Sequence, residues 1–497
     1  VYVHTQEDIL KNKEQETETT NEKPITPEEQ QSVTQHKITI NGQTLNYTVT
    51  AGTMLLKEED VEEGEKPKAA VFYVAYTLIR ESQEVPRPVT FSFNGGPGSS
   101  SVWMHLGLLG PKRVLMQEDG KPFPPPYQLV DNEYTLLKET DLVFIDPVST
   151  GYSRAVPKEK PEQFHNYQKD IESVGEFIRL WTTRNNRWSS AKFLIGESYG
   201  TTRAGGLAEY LHERYGMYLN GIMLVSSILN FMTARFTPGN DLPYLLFLPT
   251  YTATAWYHQK LSKSLQADLR KTLDEVELFV NTEYTLALMQ GNRLSATERT
   301  KIIKKLARYT GLSEDYIDRS NLRIEIFRFT KELLRDRNET VGRLDSRYKG
   351  FDRDSAGENF ENDPAYNAIL GTYTATFYDY VRRDLKFEMD RTYEILSNLY
   401  ETWKYDTYQN QFVNTAEKLR IAFQYNPSLN VIVCNGYFDL ATPYFATQYT
   451  IDHIELPKTQ ADRIRLTYYE SGHMMYVHLP SLAQVSADLA SFVKESL

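Results

Sequence analysis

The apolar positions of this chain follow two patterns, and the change between them comes near residue 89. Upstream, "HKITINGQTLNYTVTAGTMLL" (His36 to Leu56) alternates apolar and polar residues around Asn41-Gly42, the strongest short hairpin signal. "AAVFYVAYTLI" from Ala69 supplies a further strand. Val89 to Phe93 alternate and are β-prone. Beyond them come short, nearly unbroken apolar blocks: "DLVFIDPV" from Asp141, "KFLIGES" from Lys192, "GIMLVSS" from Gly221 and "NVIVCNG" from Asn430. Strands with that pattern are buried on both faces of a largely parallel sheet. Helical stretches such as "NYQKDIESVGEFIRLWTT" separate them. The layout is α/β: a central, mostly parallel sheet flanked by helices.

Two regions break this rhythm. Glu7 to about Gln35 is polar, charged and poor in aromatics, the composition of a loosely attached arm. From about Pro238 to Pro364 the strand signal gives way to helices. Leu265, Leu269, Leu273 and Val276 share one helical face. Ser295 and Glu298 form a capping box, and Gly311 is placed to end the helix they start. The expected organisation is therefore an N-terminal arm (1–35), a first core segment (36–237), a helical insertion acting as a lid (238–375) and a second core segment (376–497).

Composition narrows the partners. The 497 residues carry 55 basic and 66 acidic side chains, a formal charge of −11, which disfavours nucleic acid and anionic membrane surfaces. No apolar run reaches the roughly 18 residues of a membrane span. "LPYLLFLPTYTATAW" from Leu242 comes nearest and is broken by Pro249 and polar residues. Cys434 is the single cysteine, so no internal disulfide can form, and no metal-ligand spacing of the H-E-x-x-H kind occurs. No metal or cofactor is expected. The chain opens on Val1 without a readable signal peptide, as after removal of a leader.

The chemistry gathers at strand ends. "FSFNGGPGSSSVW" (Phe91 to Trp103) puts a glycine turn after a strand, where backbone N–H groups can approach an anion. It lacks the Lys-Ser/Thr of a nucleotide loop and the third glycine of a dinucleotide fingerprint, the position of which is Ser101. The alternative anion is the oxyanion of acyl transfer, which requires a nucleophile. Gly196-Glu197-Ser198-Tyr199-Gly200 supplies one: a G-x-S-x-G pentapeptide between an apolar strand and a helix, with glycines where a sharp turn leaves no room for side chains. Ser198 then needs a histidine to take its proton and a carboxylate to orient that histidine, in the chain order Ser, acid, His. Asp439 ends the strand "VIVCNG", and His473 follows "RIRLTYYESG". Among the nine histidines only His473 directly follows a strand and a glycine downstream of Ser198, with His453 and His478 as C-terminal rivals. The oxyanion donors expected in this arrangement are the N–H groups of Gly96 and Tyr199.

Taken together, "NGGPGSSS", "LLGP", "IDPVSTGYS", "GESYG", the Asp439 region and "SGHMM" resemble the serine carboxypeptidase family of the α/β-hydrolase fold, in its bacterial-type branch, from about Val71 to Pro480. The resemblance implies hydrolysis of the C-terminal bond of peptides or proteins through an acyl-enzyme on Ser198, with Asp439 and His473 completing the triad. It also implies that Asn94, Gly95 and Glu197 grip the substrate's terminal carboxylate. A carboxyl group binds a carboxylate well only if one of the two holds a proton, so activity should favour acidic pH. The family usually carries a second Glu where this chain has Leu108, and a Cys where it has Ser99. The branch implies action in the periplasm or outside the cell. An esterase or an acyltransferase on the same triad, and a non-catalytic binding protein on the same fold, are the competing readings. Oligomeric state is not legible.

Overall fold

The computed structural model describes residues 27–62, 64–80 and 85–497. Most of the expected N-terminal arm lies outside these residues; its last part does not, because strand β1 (Gln31–Ile40) begins inside it. β1 pairs with β2 (Gln43–Asp60) with Ile40 opposite Gln43. Asn41 and Gly42 thus make a two-residue turn, with φ of 49° and 80°, the left-handed values that favour this dipeptide.

β3 (Gly64–Leu78), β4 (Val89–Phe93), β5 (Asp141–Ile145), β6 (Lys192–Ser198), β7 (Gly221–Ser227), β8 (Asn430–Gly436) and β9 (Ile464–Tyr469) complete the main sheet. With the short strand Arg154–Ala155 paired to β3, it has ten strands in the order β1-β2-β3-β5-β4-β6-β7-β8-β9. β1, β2, β3 and β5 pair antiparallel, and from β5 through β4 to β9 every pairing is parallel.

The unbroken apolar blocks have their physical reason here. Along β7, Ile222 and Leu224 enter one core cluster while Met223 and Val225 enter the other. Along β8, Val431 and Val433 alternate with Ile432 and Cys434 in the same way. One face is covered by α1 (Tyr167–Arg184), α2 (Tyr199–Tyr215) and, later in the chain, Ala416–Tyr425; the other by Pro364–Arg383 and Leu479–Glu495.

Between β7 and β8 the helices Leu248–Tyr257, Leu269–Phe279 and Ala296–Thr310 enclose an apolar cluster of their own. Leu265, Leu269, Leu273 and Val276 are buried in it, although Leu265 sits on a separate short helix. Ser295 accepts the Glu298 N–H at 3.2 Å, and Gly311 ends the helix at φ 71°. One boundary differs from the sequence reading. The helix Pro364–Arg383 runs through residue 375, and its Tyr373, Phe377, Tyr380 and Val381 belong to the cluster against the main sheet. Its apolar stripe spans the whole helix, so it packs as one unit on the sheet.

Candidate active site

Parallel strands deliver their C-terminal ends to one edge of a sheet, and the candidate residues sit along that edge. Ser198 ends β6 and caps α2 with φ 60° and ψ −129°, a conformation that costs a non-glycine residue about 1–3 kcal/mol. The surroundings enforce it. Thr201 Oγ1 donates to the Ser198 carbonyl at 2.7 Å and accepts the Ile228 N–H at 2.8 Å. A Cβ on Gly196 would overlap the Gly200 carbonyl, and one on Gly200 would lie 2.7 Å from the Phe93 carbonyl oxygen. The flanking glycines therefore let the elbow turn and let the Asn94–Gly98 turn press against it.

Asp439 is wholly buried after β8. Its Oδ1 accepts the N–H groups of Ala441 (2.8 Å) and Thr442 (3.0 Å), and its Oδ2 accepts the Thr442 hydroxyl at 2.6 Å. Oδ2 also holds His473 Nδ1 at 2.8 Å. Burial disfavours the imidazolium of His473, but the charge and hydrogen bond of Asp439 outweigh it and hold its pKa above 6.5. The His473 carbonyl accepts the Ser226 hydroxyl at 2.6 Å, and the next residue, Ser227, stands opposite Ser198 in the β6–β7 pairing. So the strand beside the serine also fixes the histidine loop.

Gly95 lies so close to the elbow that a Cβ there would overlap the Tyr199 nitrogen. Neither the Gly96 N–H nor the Tyr199 N–H has a hydrogen-bond partner among the described residues. Tyr199 N is one of the orphan donors of the α2 N-terminus. The glycine turn is held from the far side by the segment after the insertion: Ser397 N–H donates to the Gly98 carbonyl at 2.8 Å and Ser100 N–H to the Ile395 carbonyl at 3.0 Å.

Behind the serine, Glu197 is 3% exposed and Asn94 1%. Burial pushes the Glu197 carboxyl up to about 7; His473 and the Tyr476 hydroxyl, which donates to Oε2 at 2.6 Å, pull the other way. Asn94 Oδ1 accepts the Met104 N–H at 3.3 Å, which turns Nδ2 toward Glu197 and Tyr476. Nδ2 closes no well-formed hydrogen bond. Asn94 Nδ2 thus faces the buried Glu197 carboxyl and helps to favour its ionised form.

The model of the family described as serine carboxypeptidase matches residues 53–484. The chain belongs to the serine carboxypeptidase family. Similar curated proteins include serine carboxypeptidase-like 33 of Arabidopsis thaliana, 29% identical over 157 residues, which are 29% of this chain and 29% of that protein. The pheromone-processing carboxypeptidase KEX1 of Saccharomyces cerevisiae is 34% identical over 126 residues, 25% of this chain and 16% of its own length. The chain thus aligns with less than a third of either relative. The crystal structure of KEX1(delta)p, a prohormone-processing carboxypeptidase from the same yeast, superposes with a TM-score of 0.56 at 16% identity, covering 90% of this chain and 91% of that one. That likeness establishes the α/β-hydrolase fold.

Several residues of this serine carboxypeptidase family site carry no sequence signal of their own. Arg203, fully buried on α2, donates from Nε to Asp170 Oδ2 at 2.9 Å and from Nη1 to the Asn94 carbonyl at 2.7 Å, between the rings of Phe93 and Tyr199. Thr442 lies three residues after Asp439, and that spacing alone could have suggested a turn closed on the carboxylate. Asp345, in the insertion, accepts the Gly472 N–H at 3.1 Å and pairs with Arg347 at 2.6 Å, while the Leu344 carbonyl accepts the His473 N–H at 2.6 Å. Leu108 is buried in a π-helical turn, His105–Leu109, within the core. Among the described residues no cluster of acidic, histidine or cysteine side chains has the make-up of a metal site, and no helix is long and apolar enough to cross a membrane.

The Arg203–Asp170 pair gives a stability prediction. Asp170→Asn leaves the guanidinium buried without a counter-charge, and breaking such a pair from one side costs about 3–5 kcal/mol. The urea midpoint is expected to fall accordingly with an unchanged m-value. A loss below about 1 kcal/mol, the range of a surface pair, would show that Arg203 is neutralised by other means.

Proposed function

We propose that the protein is a serine-type carboxypeptidase that hydrolyses the C-terminal peptide bond of peptides or proteins. Ser198 Oγ attacks the scissile carbonyl as His473 Nε2 takes its proton, with Asp439 holding Nδ1–H. The negative charge that forms on the carbonyl oxygen is received by the free N–H groups of Gly96 and Tyr199. Collapse expels the C-terminal residue as an amine, protonated by His473. Water, deprotonated by the same imidazole, then releases the acyl group from Ser198. Asn94, Gly95 and Glu197 hold the substrate's free carboxylate. The same reading places the activity in the periplasm or outside the cell, where one buried thiol, Cys434, leaves little for an oxidant to reach.

The observation that carries this reading is the placing of the buried Glu197 carboxyl, with its raised pKa, beside the buried Asn94 amide behind Ser198. An esterase acting on neutral ends has no use for a buried carboxyl that retains its proton near neutrality. A substrate carboxylate needs both that proton and that amide.

The test compares an N-blocked dipeptide bearing a free C-terminus with its C-terminal amide and with a small ester. The free acid is expected to be the preferred peptide substrate. Its kcat/KM should fall as pH rises through about 7, because Glu197 loses the proton that bonds the carboxylate. The acid limb belongs to His473, whose protonated form Asp439 favours. The amide meets no carboxylate repulsion and should lack the alkaline limb assigned to Glu197. Equal turnover of acid and amide with identical pH profiles, or turnover of the ester alone, would overturn the assignment.

A further inference from the structure

Tyr476 is buried three residues after His473, and nothing in the proposed chemistry requires a phenol there. Yet its hydroxyl donates the 2.6 Å bond to Oε2 of Glu197, with both side chains out of water. The ring is accommodated by an absence. A Cβ on Gly107 would stand 2.5 Å from Tyr476 Cδ2 and Cε2 and 2.6 Å from the Tyr373 hydroxyl. Leu108, the neighbouring residue, is apolar and offers Glu197 nothing. Glu197 is otherwise faced by His473 and Asp439 across the triad, by Asn94 from the glycine turn, and by Tyr373 from the helix over the sheet. Among these, Tyr476 alone gives it a well-formed hydrogen bond.

A protonated carboxyl has one oxygen that donates and one that accepts. Because the Tyr476 hydroxyl donates to Oε2, the proton belongs on Oε1. The phenol itself is held far above its usual range by burial and by Glu197, so it stays a donor across the working pH. Resting on the carboxypeptidase reading, we propose that Tyr476 is a positioning residue for substrate recognition: it fixes the tautomer of Glu197, leaving the Oε1 proton to bond the peptide's terminal carboxylate beside Asn94 Nδ2. A phenol there adds a donor without adding a charge beside the substrate carboxylate.

The test is Tyr476→Phe, assayed on the free-acid dipeptide and its amide across pH. Losing the hydroxyl removes a bond that favours the ionised carboxylate, so the alkaline limb for the free acid should move to higher pH. Losing the tautomer control should raise the free-acid KM about tenfold on the plateau, the worth of one such bond, with kcat and the amide's kcat/KM nearly unchanged. Gly107→Ala, which presses a methyl group into the ring, reaches the same hydroxyl by another route and should reproduce both effects if the phenylalanine variant fails to fold. A purely structural tyrosine would lower the melting temperature without changing the ratio of acid to amide turnover. If wild type prefers the free acid while the variant keeps both the limb and the ratio, the role of Tyr476 is refuted and the carboxypeptidase reading stands. If wild type shows no preference for the free acid, the reading itself fails and takes this role with it.

Discussion

Ser198→Ala is expected to lower kcat by about 10⁶-fold, the loss seen when the nucleophile of a serine triad is removed, while the protein folds as before. The second half of that statement follows from the elbow. Alanine keeps the Cβ, so the backbone at φ 60° is neither more nor less strained than with serine. Thr201 braces it through the carbonyl of residue 198, not through the side chain. The reacting oxygen alone disappears. On the proposed reading the N–H groups of Gly96 and Tyr199 and the residues assigned to the carboxylate remain in place, so KM should change little. The measurement is kcat and KM on the free-acid dipeptide together with the thermal midpoint. Retention of more than about a hundredth of wild-type activity, far above the residual left to such a site, would place the nucleophile elsewhere.

Much of this site was legible because its signals are local. A strand, a glycine turn and a helix are written within a dozen residues around Ser198, and the ends of β8 and β9 place Asp439 and His473 by the same grammar. The α/β alternation was legible for a related reason: strands covered on both faces must be apolar at successive positions, and each block of that kind became a parallel strand. Tyr476, Asp170 and Arg203 were not legible. Their roles depend on partners distant in sequence, as with Tyr476 and Glu197, 279 residues apart, and a lone tyrosine or an arginine on a helix looks like any other until the fold joins the pair. The sequence directs attention to the carboxyl missing at Leu108. The structure shows the partner of Glu197 arriving from residue 476, through the gap that Gly107 leaves.

The insertion reaches the loops of the candidate site. Its returning segment threads between the two loops that carry Asp439 and His473: the Phe438 carbonyl accepts the Ser346 N–H, the Arg343 carbonyl accepts the Leu440 N–H, and the Leu344 carbonyl accepts the His473 N–H. Arg343 also opposes the protonation of His473. Those three bonds are made by backbone groups, which every residue possesses, while Asp345 and Arg347 add side-chain bonds to Gly472 and Ser471. The backbone bonds leave no side-chain pattern in the sequence to announce them.

The second large effect belongs to Asp439→Asn, for which kcat should fall by about 10⁴-fold with little change in KM, as expected when the orienting acid of a triad becomes an amide. The reason lies in the four hydrogen bonds around this carboxylate. The N–H groups of Ala441 and Thr442 can only donate, so they keep the asparagine oxygen where Oδ1 now sits. The amide nitrogen must then take the place of Oδ2, where Thr442 can turn its hydroxyl to accept but His473 cannot keep a proton on Nδ1 facing another donor. The imidazole shifts to the tautomer protonated on Nε2 and can no longer accept the Ser198 proton. The variant also withdraws the charge that holds the His473 pKa up, leaving burial to lower it, so the acid limb of the residual activity should move to lower pH. Both readouts come from one pH series of kcat. A fall of less than about tenfold, with the limb in place, would mean that His473 is oriented by something other than this aspartate.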